Sequence, residues 1–290
     1  MLLTLIAGLS DGVLLFLVAS GLSLIFGVLG VLNFSHGGFF ALGAFVMHTL
    51  TRGAQLEAWQ FVALALVGGL VVGGLGLVVE ASVFRRIYHL APIDALLATY
   101  AVLLTIQGAI TQLWGVEPLG QAMPAAFLQL IRIGTAEVPS YEAFVVAVGG
   151  VVVVGLWVFL ERSDLGRSVR AVAADRSMAA CLGIDVRRVF ALMVGLGTAL
   201  AGLGGALVAP RIQITSGLAA TYVIESFAVV IVGGLGSMPG ALLAAVLLGL
   251  LNSLVVAFDP GLSGFSLYLG MAVVLLLRPH GLLGTDPERR

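Results

Sequence analysis

The chain contains no lysine and a single cysteine, Cys181, and only 10% of its 290 residues are charged. Each shortage excludes something. All fourteen cationic side chains are arginines, so there is no P-loop lysine for the β- and γ-phosphates of a nucleotide. Nor is there a lysine amine for a Schiff base with retinal or pyridoxal phosphate. One cysteine forms neither an internal disulfide nor a cysteine-based metal cluster. His36, His48, His89 and His280 lie in separate segments without ligand spacing. The chain is therefore read as non-catalytic, with no metal and no cofactor of its own. A net charge of −1 carries no information about nucleic acid, and none is expected as a partner.

Soluble domains carry about 25% charged residues to cover their exterior. This chain is 60% hydrophobic and cannot do so, so much of its surface must face lipid. Apolar stretches close to the roughly 20 residues that cross a bilayer recur from end to end. The fold expected is an all-α, polytopic membrane helical bundle with about nine segments, in the range eight to ten. They fall near Leu2–Phe26, Ser35–Leu50, Phe61–Val79, Ile93–Trp114, Tyr141–Leu160, Val189–Ala209, Tyr222–Val232, Ala241–Ala257 and Phe265–Leu277. The second and seventh are short for a crossing and suit broken or re-entrant elements. The N-terminal "MLLTLIAGLSDG" lacks a basic flank and reads as a retained first span, not a cleaved signal.

Arginine placement gives the orientation. Six arginines (162, 167, 170, 176, 187 and 188) fall between Glu161 and Arg188, Arg85 and Arg86 in a second loop, and Arg278, Arg289 and Arg290 in the tail. By the positive-inside rule these regions are cytoplasmic. The alternating loops hold Arg52, Arg132, Arg211 and none, which places them outside, with the N-terminus out and the C-terminus in. Small residues recur at four-residue spacing in the pairs Gly69/Gly73, Gly197/Ala201 and Ala201/Gly205. Such pairs let helix backbones approach closely, within this bundle or against a partner subunit.

Polar residues inside a membrane are costly and face a cavity or a partner. The candidates are Asn33, Ser35, His36, His48, Gln107, Glu225, Ser226 and Asn252. The densest group lies in "NFSHGG", where Asn33, Ser35 and His36 precede Gly37 and Gly38 at a helix break. Exposed backbone N–H groups there would suit a discontinuous transporter helix. Those five residues, with Glu225, are the pathway or gate candidates, against a purely structural role. "GGLGSMPG" (233–240) reads as a tight turn on the cytoplasmic side or as part of an inner gate.

The stretch "ERSDLGRSVRAVAADRSMAACLGIDVRRV" is the longest charged segment and is densely punctuated. Asp164 is placed to cap a turn around Leu165–Ala173, Asp175 a helix over Arg176–Leu182 that Gly183 ends, and Asp185 the next span. Val169, Val172, Met178, Leu182 and Ile184 then either pack back onto the bundle or face a cytoplasmic partner.

"GRSVRAVAADRSMAACLGIDVRRV" resembles the ATPase-docking loop in permease subunits of branched-chain amino acid ABC importers, the LivH-type family. The resemblance extends through "ALMVGLGTALAGLGGAL", "YVIESFAVVIVGGLGSMPGA", "RPHGLLG" and the N-terminal "GLSLIFGVLGVLNFSHGGFFALGAF", so it spans essentially the whole chain. The NFSHGG segment is more similar to the LivH-type half than to its LivM-type partner. The resemblance implies one transmembrane permease domain over residues 1–290, with a docking loop at about 161–188. Gly166, Arg167, Arg170, Asp175, Ala180, Gly183 and Ile184 match the docking loop. It also implies a multi-pass protein of the bacterial cytoplasmic (inner) membrane and a LivM-like second permease. Two cytoplasmic ATPase subunits would carry ATP and Mg²⁺, and a periplasmic binding protein would deliver the cargo. That cargo is a branched-chain amino acid, or alternatively urea, an amide or a small aromatic acid. A stand-alone secondary carrier or channel is the competing class, which an organised cytoplasmic loop does not favour.

Overall fold

A computed structural model describes residues 1–51, 54, 56–88, 90–133 and 136–284. Arg52, His89, Arg289 and Arg290 lie outside these described residues.

Twelve α-helices are formed among them. In order they are α1 (Leu2–Leu29), α2 (Ser35–Thr51), α3 (Ala58–Val79), α4 (Arg85–Ile87), α5 (Pro92–Trp114), α6 (Ser140–Arg162), α7 (Asp164–Ala174), α8 (Arg176–Cys181), α9 (Val186–Val208), α10 (Leu218–Gly233), α11 (Met238–Phe258) and α12 (Ser263–Leu277). Seven helical stretches are long and apolar enough to cross a membrane. The short second and seventh segments form as α2 and α10, of 17 and 16 residues. Arg85 and Arg86, expected in a loop, instead extend the third span. A π-turn, Glu80–Phe84, joins α3 to α4 and keeps the chain helical to Ile87. The reason is a buried carboxylate: Glu80 accepts hydrogen bonds from Arg85 (2.9 Å) and Tyr88 (3.2 Å), which holds the extra turn in place.

The connection before α6 holds a two-stranded antiparallel hairpin, β1 (Leu130–Ile133) and β2 (Ala136–Pro139), with Ile131 opposite Val138. Leu119 and Ile214 bridge this connection to the one before α10.

The burial pattern is that of a lipid solute. Leu70 and Val78 of α3, Ile93, Leu97 and Leu113 of α5, and Val151 and Val154 of α6 face outward. Serines 10, 20 and 23 lie buried on α1, which runs through the centre of the bundle. Its neighbours approach through glycine. A Cβ at Gly21 would stand 2.3 Å from the Gly197 carbonyl of α9, and one at Gly43 of α2 would stand 2.1 Å from the Gly202 carbonyl. Gly69 and Gly73 likewise pack α3 against Ala199 of α9. The small-residue pairs thus serve the chain's own bundle, where close van der Waals contact replaces the absent hydrophobic drive.

Gly43→Ala should therefore destabilise the purified protein by about 1–3 kcal/mol, the usual range for overpacking a core. Gly150→Ala, where an added Cβ meets nothing within 4 Å, should be neutral or stabilising, since alanine is the better helix former. Thermal unfolding midpoints in detergent compare the two.

Candidate functional site

Three polar features stand out, two at one end of the bundle and one at the other.

The first is the break between α1 and α2. Gly30 ends α1 in the left-handed region (φ 65°), and its N–H donates to Phe26 O at 2.7 Å. Asn33 Oδ1 then accepts from Ser35 N (3.0 Å) and Ser35 Oγ (2.6 Å), which opens α2. Phe34 N donates to Thr99 Oγ1 of α5, and His36 Nε2 donates to Val18 O of α1 at 2.8 Å. All of these polar side chains are buried. The sequence suggests exposed backbone N–H groups at Gly37 and Gly38, but both glycines are closely packed instead. They lie inside α2, with the Cβ position of Gly37 2.2 Å from Ala219 O of α10 and that of Gly38 against Ile106 of α5. The α2–α10 approach requires glycine there. The five residues are thus brought together as a buried joint, and Glu225 lies apart from them in a different part of the bundle.

The second is the segment between α6 and α9. Ser163, not Asp164, caps α7: its Oγ accepts from Gly166 N at 2.8 Å. Asp164 occupies the first helical position and pairs with Arg167. Gly166 is wedged under the end of α6, where a Cβ would stand 2.2 Å from Phe159 O. Arg170 lies 3.6 Å from Glu161 across an exposed surface. Asp175 accepts from Met178 N (2.9 Å) to cap α8, Gly183 follows at φ 85°, and Asp185 caps α9 through Arg188 N. Of the apolar residues singled out, Val169 and Val172 are buried against the bundle, while Met178 (59%) and Leu182 (74%) are exposed. Ala180 is exposed and Ile184 half-buried.

The recognised stretches meet here in space. Arg176 of α8 donates to Val28 O of α1 at 2.9 Å and lies over the Phe190 ring of α9. A cavity of about 750 Å³ opens between the end of α1, α7 and the turn before α11, lined by Gly27, Glu161, Arg170, Arg176, Gly236 and Met238. The tail closes on that turn, with Leu282 N and Leu283 N donating to Val232 O and Gly233 O.

The third feature lies at the opposite end. Arg211, just beyond α9, places one guanidinium nitrogen 2.8 Å from Asp11 of α1 and 3.3 Å from Glu142 of α6. The neighbouring Tyr141 donates its hydroxyl to Leu207 O of α9. Beside this cluster a cavity of about 420 Å³ is lined by Asp11, Arg211, Tyr222, Glu225, Asn252 and Tyr268, among others. Asn252 Oδ1 accepts from Ser266 of α12 at 2.6 Å. The other polar candidates are tied to backbone: His48 to Gly120 O, Gln107 to Ser216 O and Ser226 to Val223 O.

A family model described as a branched-chain amino acid transport system permease component matches residues 4–277. The chain belongs to this family. It is 27% identical to the high-affinity branched-chain amino acid transport system permease protein LivH of Escherichia coli K12, over 92% of this chain and 90% of that protein. It is 29% identical to BraD of Pseudomonas aeruginosa, a permease protein of the same description, over 97% and 94%. LivM of E. coli K12 is 28% identical, over 91% of this chain and 66% of that protein. PsaBC from Streptococcus pneumoniae in complex with Fab aligns at 12% identity with a TM-score of 0.48, over 93% of this chain and 89% of that one.

In this permease the Asp11–Arg211–Glu142 cluster escaped the sequence reading. Arg211 was counted as a loop cation, but it is only 21% exposed. Asp11 sits in a 28-residue apolar helix, a placement that itself marks a functional or paired acid.

Arg211→Met should lower stability by about 1–3 kcal/mol, less than a fully buried pair because the groups are partly exposed. Asp11→Asn should cost less, since Glu142 still compensates Arg211. Paired thermal melts of the two variants check the order.

Proposed function

We propose that this chain is a translocation subunit of an ATP-binding-cassette importer in the bacterial cytoplasmic membrane, carrying branched-chain amino acids inward. It works beside a LivM-like permease, above two cytoplasmic ATPases that carry ATP and Mg²⁺, and receives cargo from a periplasmic binding protein. The chain itself performs no chemistry. The whole chain forms one permease domain with nine membrane segments, α2 and α10 being the short ones, N-terminus outside and C-terminus inside.

The observation that carries this reading is the α7–α8 element. Ser163 and Asp175 cap its helices, buried Val169 and Val172 fix it to the bundle, and Arg176 ties it to the last turn of α1. It presents Met178, Ala180 and Leu182 outward. A stand-alone carrier has no use for a rigid apolar knob on its cytoplasmic face. Seated in an ATPase cleft, the knob turns nucleotide-driven closure into a rigid-body displacement of α1 and α9. Gly183 is positioned to end α8, Gly166 and Arg170 hold α7 beneath α6, and Arg167 pairs with Asp164 at the start of α7.

The test is reconstitution with the cognate ATPases, second permease and binding protein in proteoliposomes. ATP-dependent L-leucine uptake is expected. Uptake of urea, an amide or a small aromatic acid without leucine would overturn the cargo, and uptake without ATPases would overturn the importer class. The double variant Met178→Asp with Leu182→Asp should keep the permease folded, because both side chains are exposed. It should reduce leucine uptake at least tenfold with the ATPases no longer retained on purification. Wild-type uptake in that variant would remove the knob's role.

A further inference from the structure

The cavity at the end opposite α8 has no role in the coupling described above, and its chemistry is specific. It has the size of a small-molecule site, mixed apolar and polar walls, and an excess of negative charge. Two carboxylates of the lining, Asp11 and Glu225, stand against one guanidinium, Arg211, which Glu142 also reaches from outside the lining. Asp11 and Glu142 share Arg211, and the buried Glu142 Oε2 still has no hydrogen-bond partner. Glu225 makes no hydrogen bond or ion pair among the described residues, although it lines the cavity. A half-buried carboxylate without a partner loses part of its hydration, and a cation brought to it offsets that loss.

The geometry points to a primary ammonium group as the cation. Among the described residues no three His, Cys, Asp or Glu side chains are grouped as a metal-ligand set. Leu14, Leu15 and Val208 supply apolar lining. Asn252 has its oxygen occupied by Ser266 and keeps its N–H groups for an acceptor. We infer that the cavity is a transit site for the amino acid: Glu225 takes the α-ammonium, Asn252 the α-carboxylate, and the leucine-rich wall the side chain. The Asp11–Arg211–Glu142 cluster fixes the mouth of the site by joining α1, α6 and the end of α9. The inference rests on the reading of this chain as an amino-acid permease.

An ammonium also reaches a membrane protein on a lipid headgroup, so the test separates the two sources. The assembled wild-type importer, without its binding protein, is purified in phosphatidylcholine. It is treated with a hydrophobic carbodiimide, and labelling of Glu225 is followed by peptide mass spectrometry. L-leucine at millimolar concentration should slow that labelling at least threefold. 4-Methylpentanoate, the same skeleton without its amine, should not. Equal protection by both compounds, by neither, or by added phosphatidylethanolamine alone would overturn the site. In uptake assays Glu225→Gln should reduce leucine transport about tenfold, the fold-change of losing one charge-assisted hydrogen bond, and Glu225→Asp should recover most of it. Wild-type uptake by Glu225→Gln would also overturn it. The two readings fail separately. Absent leucine uptake by the wild type defeats the function, whereas intact uptake with unprotected Glu225 defeats only the site.

Discussion

The arrangement of this bundle depends on how closely other helix backbones approach α1 and its neighbour α9. In hydrocarbon a leucine face gains nothing by leaving lipid for another helix, so association rests on packing and on satisfied polar groups. Gly8 and Gly12 of α1 meet α11 around Gly249, Gly21 meets Gly197 of α9, and Gly205 of α9 meets Phe40 O of α2. At each crossing a methyl group would stand within about 3 Å of a facing backbone atom. Those contacts set the interaxial spacing, and everything placed at the two ends follows from it.

At the arginine-rich end the consequence is convergence. α1 stops at Gly30 because a left-handed residue there returns the chain toward Thr99 of α5 and opens α2. The same stop leaves Val28 O for Arg176, so the joint and the exposed knob share one helix end. The joint is not fully satisfied. Ser23 Oγ, Asn33 Nδ2 and His36 Nδ1 are buried without a hydrogen-bond partner among the described residues. Orphaned groups of this kind cost stability, and a rearrangement that gave them partners would recover it. The least satisfied part of the core thus lies beside the element through which coupling would enter.

Much of this was legible in the sequence because it is local. The caps at Asp175 and Asp185, the stop at Gly183 and the two short helices α2 and α10 each depend on residues within a few positions of one another. Asp164 was misassigned as a cap because Ser163, one residue earlier, carries the competing hydroxyl and the extended backbone a cap needs. Exposed backbone was expected at Gly37 and Gly38 because glycine after a polar cluster marks equally an exposed turn and a tight crossing, and only the position of α10 decides between them. The Arg211 pairing with Asp11 spans about two hundred residues, and no local pattern encodes it. Glu225 was visible as an intramembrane acid, but its neighbours Asn252 and Tyr268 come from other helices.

α1 is one of the helices that reach both features, together with α6 and α9. Asp11 lies in the N-terminal half of α1 against Arg211, and Val28 lies in its last turn under Arg176. Between them the helix is buried, and glycines set its crossings with α9 and α11 beside packed large side chains such as Leu22 and Ile25. A contact made of facing backbones resists separation strongly but offers few ridges against sliding, the geometry of shear between packed helices. A displacement applied at Arg176 would therefore reach Asp11 with α1 moving as one rigid rod. Asp11 shares Arg211 with Glu142 of α6, so motion of α1 along its axis would change how that guanidinium is divided between the two carboxylates. The charge balance beside the Arg211 cavity would then change with the position of the α8 knob. No residue between them needs to carry a signal of its own.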